Sequence, residues 1–320
     1  RYRGGNSTYT VDIYQPNYNV ARPEVGLLYE NNEQQDAYGI YVQDQMDLTD
    51  KFKLLVGLRF DSVDQDILET KSAVLSSSSQ SQVSPRIGLV YELNNAVTLY
   101  SSYSEGFLPL SGTDASGDPF GFEYSDSFEV GAKFSYQGIT GTLALFDATK
   151  SNMLVADPVN VGFSAPIGKA NSKGVELDLS TYITEDTKFN LSYAYIDATT
   201  ANDIINADWG VPIKKGSPLV NVPKNNLNLT LSHKTALLGK ELELGASYQY
   251  TSERLGDAAD LTFNLPSYQL VGIFGQVNLT ERTKLNISVN NIFDEEYAQK
   301  NKLGIWEGSF VEPEIWRKNR

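Results

Sequence analysis

The chain is patterned at a period of two residues in twelve separate segments, and few folds satisfy such a pattern. Between Glu241 and Tyr250, one side carries Leu242, Leu244, Ala246, Tyr248 and Tyr250. The other carries Glu241, Glu243, Gly245, Ser247 and Gln249. A β-strand sends successive side chains to opposite faces, so each such segment is a strand with one greasy and one polar face. Repeated in segments of about ten residues, the pattern predicts an all-β, antiparallel transmembrane β-barrel, with lipid outside and water or polar protein inside.

The alternation predicts strands at 36–47, 52–66, 83–93, 96–105, 124–137, 139–152, 171–182, 188–200, 223–235, 241–253, 266–279 and 284–294. Tight connections fall at Thr49-Asp50-Lys51, Asn94-Asn95, Gln137-Gly138, Glu185-Asp186-Thr187, Leu238-Gly239-Lys240 and Glu281-Arg282-Thr283. Asn, Asp and Gly suit hairpin turns because they tolerate positive φ or bond their own backbone. The intervening connections read as loops of roughly ten to twenty residues, rich in Ser, Gly, Asp and Pro, with Ser76–Ser79 a solvated low-complexity run. Short turns at one end and long loops at the other match outer-membrane barrels, whose short turns face the periplasm. A soluble β-sandwich has no reason to keep that asymmetry.

Composition narrows the function classes. Mean hydropathy is −0.31, as expected when only half of each strand meets lipid. No run approaches the ~18 apolar residues of a membrane helix; Leu54-Leu55-Val56 is typical of the longest. With no cysteine there is neither a disulfide framework nor a thiolate metal site. A net charge of −14 argues against nucleic acid as a partner. Nineteen tyrosines, fourteen phenylalanines and three tryptophans supply the aromatic girdles that a barrel needs at both interfaces.

Strand parity adds an expectation. Strand 36–47 leads into a short turn and strand 284–294 leaves one, so the twelve-strand unit begins and ends on the long-loop side. Complete bacterial barrels have an even strand number, and both ends normally lie in the periplasm. The chain therefore reads as a piece of a larger barrel.

Several segments resemble the C-terminal part of the barrel of TonB-dependent outer-membrane receptors, the ferric-siderophore type above all. Tyr38–Gln45 resembles the family's GxYxQDQ strand, and Leu55–Asp61 its GxRxD strand. Ser84–Tyr91 resembles SPRxGLxY, and Leu99–Phe107 resembles YxSYSxGF. Phe128–Lys133 resembles xExGxK, Gly174–Asp178 resembles GxExE, and Val289–Tyr297 resembles VxNLFDxxY. Their order and spacing run through about 260 residues. Val11–Pro16 also resembles a loop of the hydroxamate-type branch. The resemblance implies about twelve strands of a 22-stranded barrel, with residues 1–320 a partial barrel domain. The plug, TonB box, first strands and final strand lie outside it. It implies iron carried as a siderophore chelate with no cofactor, and a ferric siderophore, the TonB complex, and outer-membrane lipid and lipopolysaccharide as partners. The location it implies is the bacterial outer membrane.

The alternation assigns Leu54, Val56, Leu58, Val130, Phe134, Leu177, Leu179, Leu191, Tyr193, Leu227, Leu229, Leu231, Leu285 and Ile287 to lipid. It turns Arg59, Asp61, Arg86, Glu92, Glu129, Lys133, Glu176, Asp178, Asn190, Asn228, Glu243, Gln249, Asn286 and Asn290 toward the lumen. A charge at the lipid midplane costs ~2–4 kcal/mol, which forces the ionic set inward. In the family the lumen holds the plug, and these charges would pair with plug groups or with each other. Ligand capture belongs to the long outer loops, where aromatic walls suit the apolar patches of a siderophore. The candidates are Tyr14, Tyr18, Phe107, Phe120, Phe122, Tyr124, Trp209, Phe263 and Trp306. No iron cage is expected, because the chelator supplies the ligands and the chain has one histidine.

That histidine, His233, raises one alternative class: outer-membrane phospholipases have twelve strands and a His–Ser pair on the lipid face. Ser232 adjoins His233 and so lies on the opposite face, and a cross-strand serine would be needed. An interfacial histidine is the expectation. Within transport, the alternatives are a receptor for cobalamin or a glycan, and a passive porin. The sequon Asn228-Leu229-Thr230 lies inside a strand and is read as incidental.

Overall fold

The computed structural model describes residues 2–4, 14–15, 27–70, 72–205, 210–237, 239–258, 260–280 and 282–299. Thirteen strands form one antiparallel sheet: β1 (Tyr2–Gly4), β2 (Leu27–Asp47), β3 (Phe52–Glu69), β4 (Val74–Asn94), β5 (Val97–Pro109), β6 (Phe122–Tyr136), β7 (Ile139–Ala156), β8 (Ser164–Thr184), β9 (Thr187–Thr200), β12 (Asn225–Leu237), β13 (Lys240–Thr251), β16 (Tyr268–Thr280) and β17 (Thr283–Val289). Between them lie two small hairpins, β10 (Ile204–Ile205) with β11 (Pro212–Ile213) and β14 (Arg254–Leu255) with β15 (Asn264–Leu265). Each strand of the sheet pairs with the next in sequence, and among the described residues the order runs from β1 to β17 without closing.

All twelve predicted strands are present, and β1 adds a short one against the start of β2. The main departures are at the long-connection end. β2 begins at Leu27 rather than 36, β4 at Val74 rather than 83, and β8 at Ser164 rather than 171. The Ser76–Ser79 run, expected as a solvated loop, is strand: it pairs with Asp64–Ile67 of β3. The expected long loop there is a short connection between Glu69 and Val74, on a tall extension formed by β2, β3 and β4 together. In the other direction, β17 ends at Val289 rather than 294; Asn291 and Asp294, both at positive φ, turn the chain out of the ladder. At the opposite end the turns are tight, and Gln137-Gly138 has the two positive φ values of a type I′ hairpin.

The reason for the taller strands is a reversal of hydrophobic phase. From Phe52 to Phe60 the outward side chains of β3 are Phe52, Leu54, Val56, Leu58 and Phe60, opposite Tyr91, Leu89, Ile87, Pro85 and Val83 of β4. Nine residues of strand run about 27 Å, or roughly 20 Å in height at a barrel tilt near 40°, close to the apolar band of an outer-membrane barrel. Phe52 and Tyr91 stack at 4.4 Å at its lower edge. Above Phe60 the same face carries Ser62, Asp64 and Asp66 against Ser81, Ser79 and Ser77. The other face turns apolar there, and Val63 and Ile67 are only 4% and 2% exposed. A strand that leaves lipid for water must exchange its apolar and polar faces to stay partly buried.

The covers for those inward apolar groups are the connections themselves. Segment 110–121 folds onto β3 and β4, burying Leu110 and Phe120. It is tied by Gln65 Nε2 to the Leu110 carbonyl (3.1 Å), Ser76 Oγ to the Gly117 carbonyl (2.6 Å) and Ser111 Oγ to Glu33. Segment 201–224 buries Ile213, and Val155 of β7 is buried as well. Segment 252–267 buries Leu255 and Leu265, and the buried guanidinium of Arg254 binds the carbonyls of Ala298 and Gln299 beside Tyr268. Nearly all the buried apolar side chains thus sit at the long-connection end. The banded part of the sheet keeps its apolar side chains exposed, as a wall facing lipid should.

Candidate functional site

The cross-strand register carries Arg59, Asp61, Arg86, Glu92, Glu129, Lys133, Glu176, Asp178, Asn190, Asn228, Glu243, Gln249 and Asn286 onto one face of the sheet. Asn290 lies just past the end of β17. The opposite face carries the leucines and tyrosines assigned to lipid.

On the polar face the charges are largely matched within the wall. Arg59 grips Asp61 with two bonds, Nε to Oδ2 at 2.8 Å and Nη2 to Oδ1 at 2.6 Å. Lys53 meets Glu92 at 3.2 Å and Lys150 meets Glu123 at 2.7 Å. Tyr100 donates its hydroxyl to Glu129 at 2.7 Å, and the Lys133 ammonium lies over the same ring. Ser192 donates to Asp178 at 2.6 Å.

Three glycines of the family-like motifs acquire a physical role here. Gly39 sits opposite Asp61, and a Cβ on it would fall 2.3 Å from Arg59 Nη2 and 2.5 Å from Asp61 Oδ1. Its bare backbone is where the ion pair lies. Gly131 receives the ring of Tyr100, and Gly174 the ring of Phe146, each its cross-strand partner. An aromatic lying over a strand glycine shields the backbone that glycine exposes. Gly39→Val should therefore displace the Arg59–Asp61 pair and cost about 1.5–3 kcal/mol, the scale of a hydrogen bond to a charged group. Denaturant unfolding of the intact parent protein in detergent measures it, and Gly57→Ala, at an open position, should cost less.

The predicted loop aromatics divide. Phe107, Phe122 and Tyr124 are not in a loop; they end β5 and β6, where Phe107 pairs with Tyr124 and Pro109 with Phe122. They share the outward face of Tyr103 and Phe128, and the Phe107 and Phe122 rings pack at 4.7 Å. That geometry makes them wall aromatics above the apolar band. Phe120 is in a loop but buried against the β3–β4 ribbon, because the phase reversal there demands an apolar cover. Phe263 is half-buried over Gly256. Tyr14 presents an exposed ring. Tyr18, Trp209 and Trp306 lie outside the described residues. The tip of the β7–β8 hairpin holds none of the candidate aromatics, yet its Val159 and Val161 are 81% and 95% exposed. Asp157 holds that tip by accepting from the Asn160 side chain and from the backbone N–H of Asn160 and Val159; these bonds keep its carboxyl below the usual range. Asp203 is lowered in the same way by the Lys215 N–H and the Lys214 ammonium.

His233 faces outward, opposite Thr187, with Nδ1 2.9 Å from the Thr187 hydroxyl. Ser232 points to the other face. Among the described residues there is no group of three or more His, Asp or Glu arranged to hold a metal ion.

The chain matches a model of the TonB-dependent receptor-like β-barrel over residues 1–292. It is 34% identical over 315 residues to the metal-pseudopaline receptor CntO of Pseudomonas aeruginosa, a match that covers 93% of this chain and 42% of that protein. It is 30% identical over 314 residues to the ferrichrome outer membrane transporter/phage receptor of Escherichia coli K12, covering 93% and 41%. Among solved structures it is similar to the siderophore receptor PiuA of Acinetobacter baumannii, with a TM-score of 0.72, 23% identity, and 91% of this chain and 42% of that one covered. The ferric-catecholate import receptor Fiu of E. coli K12 gives a TM-score of 0.71 at 19% identity, with 94% and 46% covered. At these identities the two structures speak for the fold alone. The chain spans about two fifths of the length of the curated relatives it matches.

Proposed function

Since this chain belongs to the TonB-dependent receptor-like β-barrel family, a family of outer-membrane receptors rather than enzymes, we propose that it forms the wall of an importer for metal chelates, ferric siderophores first among them. The observation that carries this reading is the match over residues 1–292 on a sheet whose two faces are sorted for lipid and for a polar interior. In this reading the polar face, with Arg59, Asp61, Arg86, Glu129, Lys133, Glu176 and Asp178, surrounds a plug. The ordered connections at the far end form the mouth that meets the chelate. Tyr14, Phe263 and the exposed Val159–Val161 tip are the described side chains best placed to touch an apolar chelator. The iron stays in its chelator's ligands, and the TonB complex supplies the energy through segments outside the described wall.

A second reading narrows the cargo differently. Identity of 34% to a metal-pseudopaline receptor favours a chelate of that kind, which need not carry iron. Uptake by cells that make the intact parent protein separates the two, using iron-labelled hydroxamate chelates and metal-loaded pseudopaline, with and without a working coupler. Coupler-dependent iron uptake is the expected result. Coupler-dependent uptake confined to the pseudopaline chelates would select the second reading, and uptake of only cobalamin or a glycan would move the cargo class. Uptake that persists without the coupler would point to a passive pore.

A further inference from the structure

The polar wall of β2–β7 carries five basic side chains, and four have a partner in the wall. Lys53 meets Glu92, Arg59 grips Asp61, Lys133 lies over Tyr100 and Lys150 meets Glu123. Arg86 is the exception: no hydrogen-bond or ion-pair partner for its guanidinium occurs among the described residues. It borders a hollow whose floor is Gly57 and whose rim is Tyr41, Gln43, Arg59, Ser84 and Arg86. Two adjacent rungs of the ladder build it, Tyr41–Arg59–Ser84 and Gln43–Gly57–Arg86. The Ser84 hydroxyl is shielded from solvent and also has no partner among the described residues.

Gly57, like Gly88 of the next strand, differs from three other motif glycines. At Gly39, Gly131 and Gly174 a neighbouring side chain occupies the space that a Cβ would take. At Gly57 the nearest atoms to a Cβ would be Gln43 Cγ at 3.7 Å and Arg86 Cβ at 3.8 Å, ordinary contact distances. The wall's own packing does not require glycine there, and no side chain fills the space. Both oxygens of Asp61 are engaged by Arg59, so the uncompensated charge at the hollow is that of Arg86.

We propose that the hollow over Gly57 is a carboxylate-binding site, with the Arg86 guanidinium as its fork and the Gln43 amide as a further donor. A guanidinium presents parallel N–H groups that match a carboxylate, and one uncompensated positive charge matches one monoanion. The carboxylate is either an Asp or Glu of another segment of the same protein seated against the interior, or a carboxylate of the transported chelate. The inference rests on the reading of the polar face as the barrel interior.

The test is modification of Arg86 by phenylglyoxal in the intact parent receptor in detergent, followed by peptide mass spectrometry, with and without citrate as the probe. If a carboxylate of the protein occupies the site, Arg86 in the resting receptor reacts at least about tenfold more slowly than in the unfolded protein. If a chelate's carboxylate uses it, Arg86 reacts in the free receptor and citrate protects it. Rapid reaction with and without citrate overturns the proposal. Simple steric shielding is separated by Arg86→Lys and Arg86→Met. Lys, which keeps the charge but not the fork, should retain part of the receptor's thermal stability, or of its stabilisation by citrate, and Met should lose it; Met performing as well as Lys also overturns the proposal. Failure of metal uptake with Arg86 still protected would count against the transport reading alone.

Discussion

Leu229→Arg should abolish or sharply reduce assembly of the intact parent barrel, while Asn228→Arg should leave it nearly unchanged. The two residues are neighbours in β12 with opposite surroundings. Leu229 pairs with Leu191 and Tyr248 on the apolar face, and Asn228 pairs with Ser192 and Gln249 on the polar one. An arginine at the lipid midplane costs ~2–4 kcal/mol, a factor of roughly thirty to a thousand in the folding equilibrium, whereas an arginine on the interior face stays hydrated. Heat-modifiable gel migration of membranes that express each variant reads the folded fraction directly. Equal loss for both would mean that the facing of β12 is wrong, and with it the register that links every strand from β2 to β17.

How much of this was legible in the sequence depends on distance from the apolar band. Inside the band, alternation and turn chemistry suffice: β3 starts at Phe52 as expected, and β7 starts at Ile139 after the Gln137-Gly138 turn. Beyond it the same rule misleads. A reader who asks for apolar residues on the outward face stops near residue 66, because Ser62, Asp64 and Asp66 are polar and outward while Val63 and Ile67 are apolar and inward. The serine run 76–79 carries almost no alternation signal, and its strand character comes from the partner it pairs with. Phe120 shows the same limit for the site. Its sequence context is a long polar connection, and its burial depends on residues of β3 that local pattern does not connect to it. The motif glycines were recognisable as letters of a pattern. That Gly39 makes room for an ion pair, and that Gly57 makes room for nothing in the wall, becomes visible only once cross-strand partners are known.

Ile67→Asp should open the mouth of the barrel without unfolding its wall. Ile67 is 2% exposed on the face that segment 110–121 covers, where Val63, Leu110 and Phe120 are buried as well. Placing a carboxylate there removes an apolar side chain worth about 2–5 kcal/mol on truncation and adds the cost of a buried charge. The segment's remaining ties, Ser76 to Gly117, Gln65 to Leu110, Gln80 to Phe120 and Ser111 to Glu33, are single hydrogen bonds of about 1 kcal/mol each, the last, to a carboxylate, somewhat more. The loop should therefore detach, gain rapid amide exchange and protease cleavage across 110–121, and lose chelate binding, while heat-modifiable migration of the barrel persists. The lesion is local because the wall's hydrogen bonds and its lipid face do not involve the cap. Removing Leu108–Glu123 outright is a harsher change than loop excision. It deletes the Leu108–Glu123 and Pro109–Phe122 pairs that end the β5–β6 ladder, takes the Lys150 partner, and strips the cover from Val63 and Ile67. A shorter excision of Gly112–Pro119, closed by two glycines, keeps Phe120 and Leu110 over the ribbon and should spare the fold. If Ile67→Asp left exchange across 110–121 as slow as in the parent, the cap would not be held by this apolar contact, and the phase reversal would need another explanation.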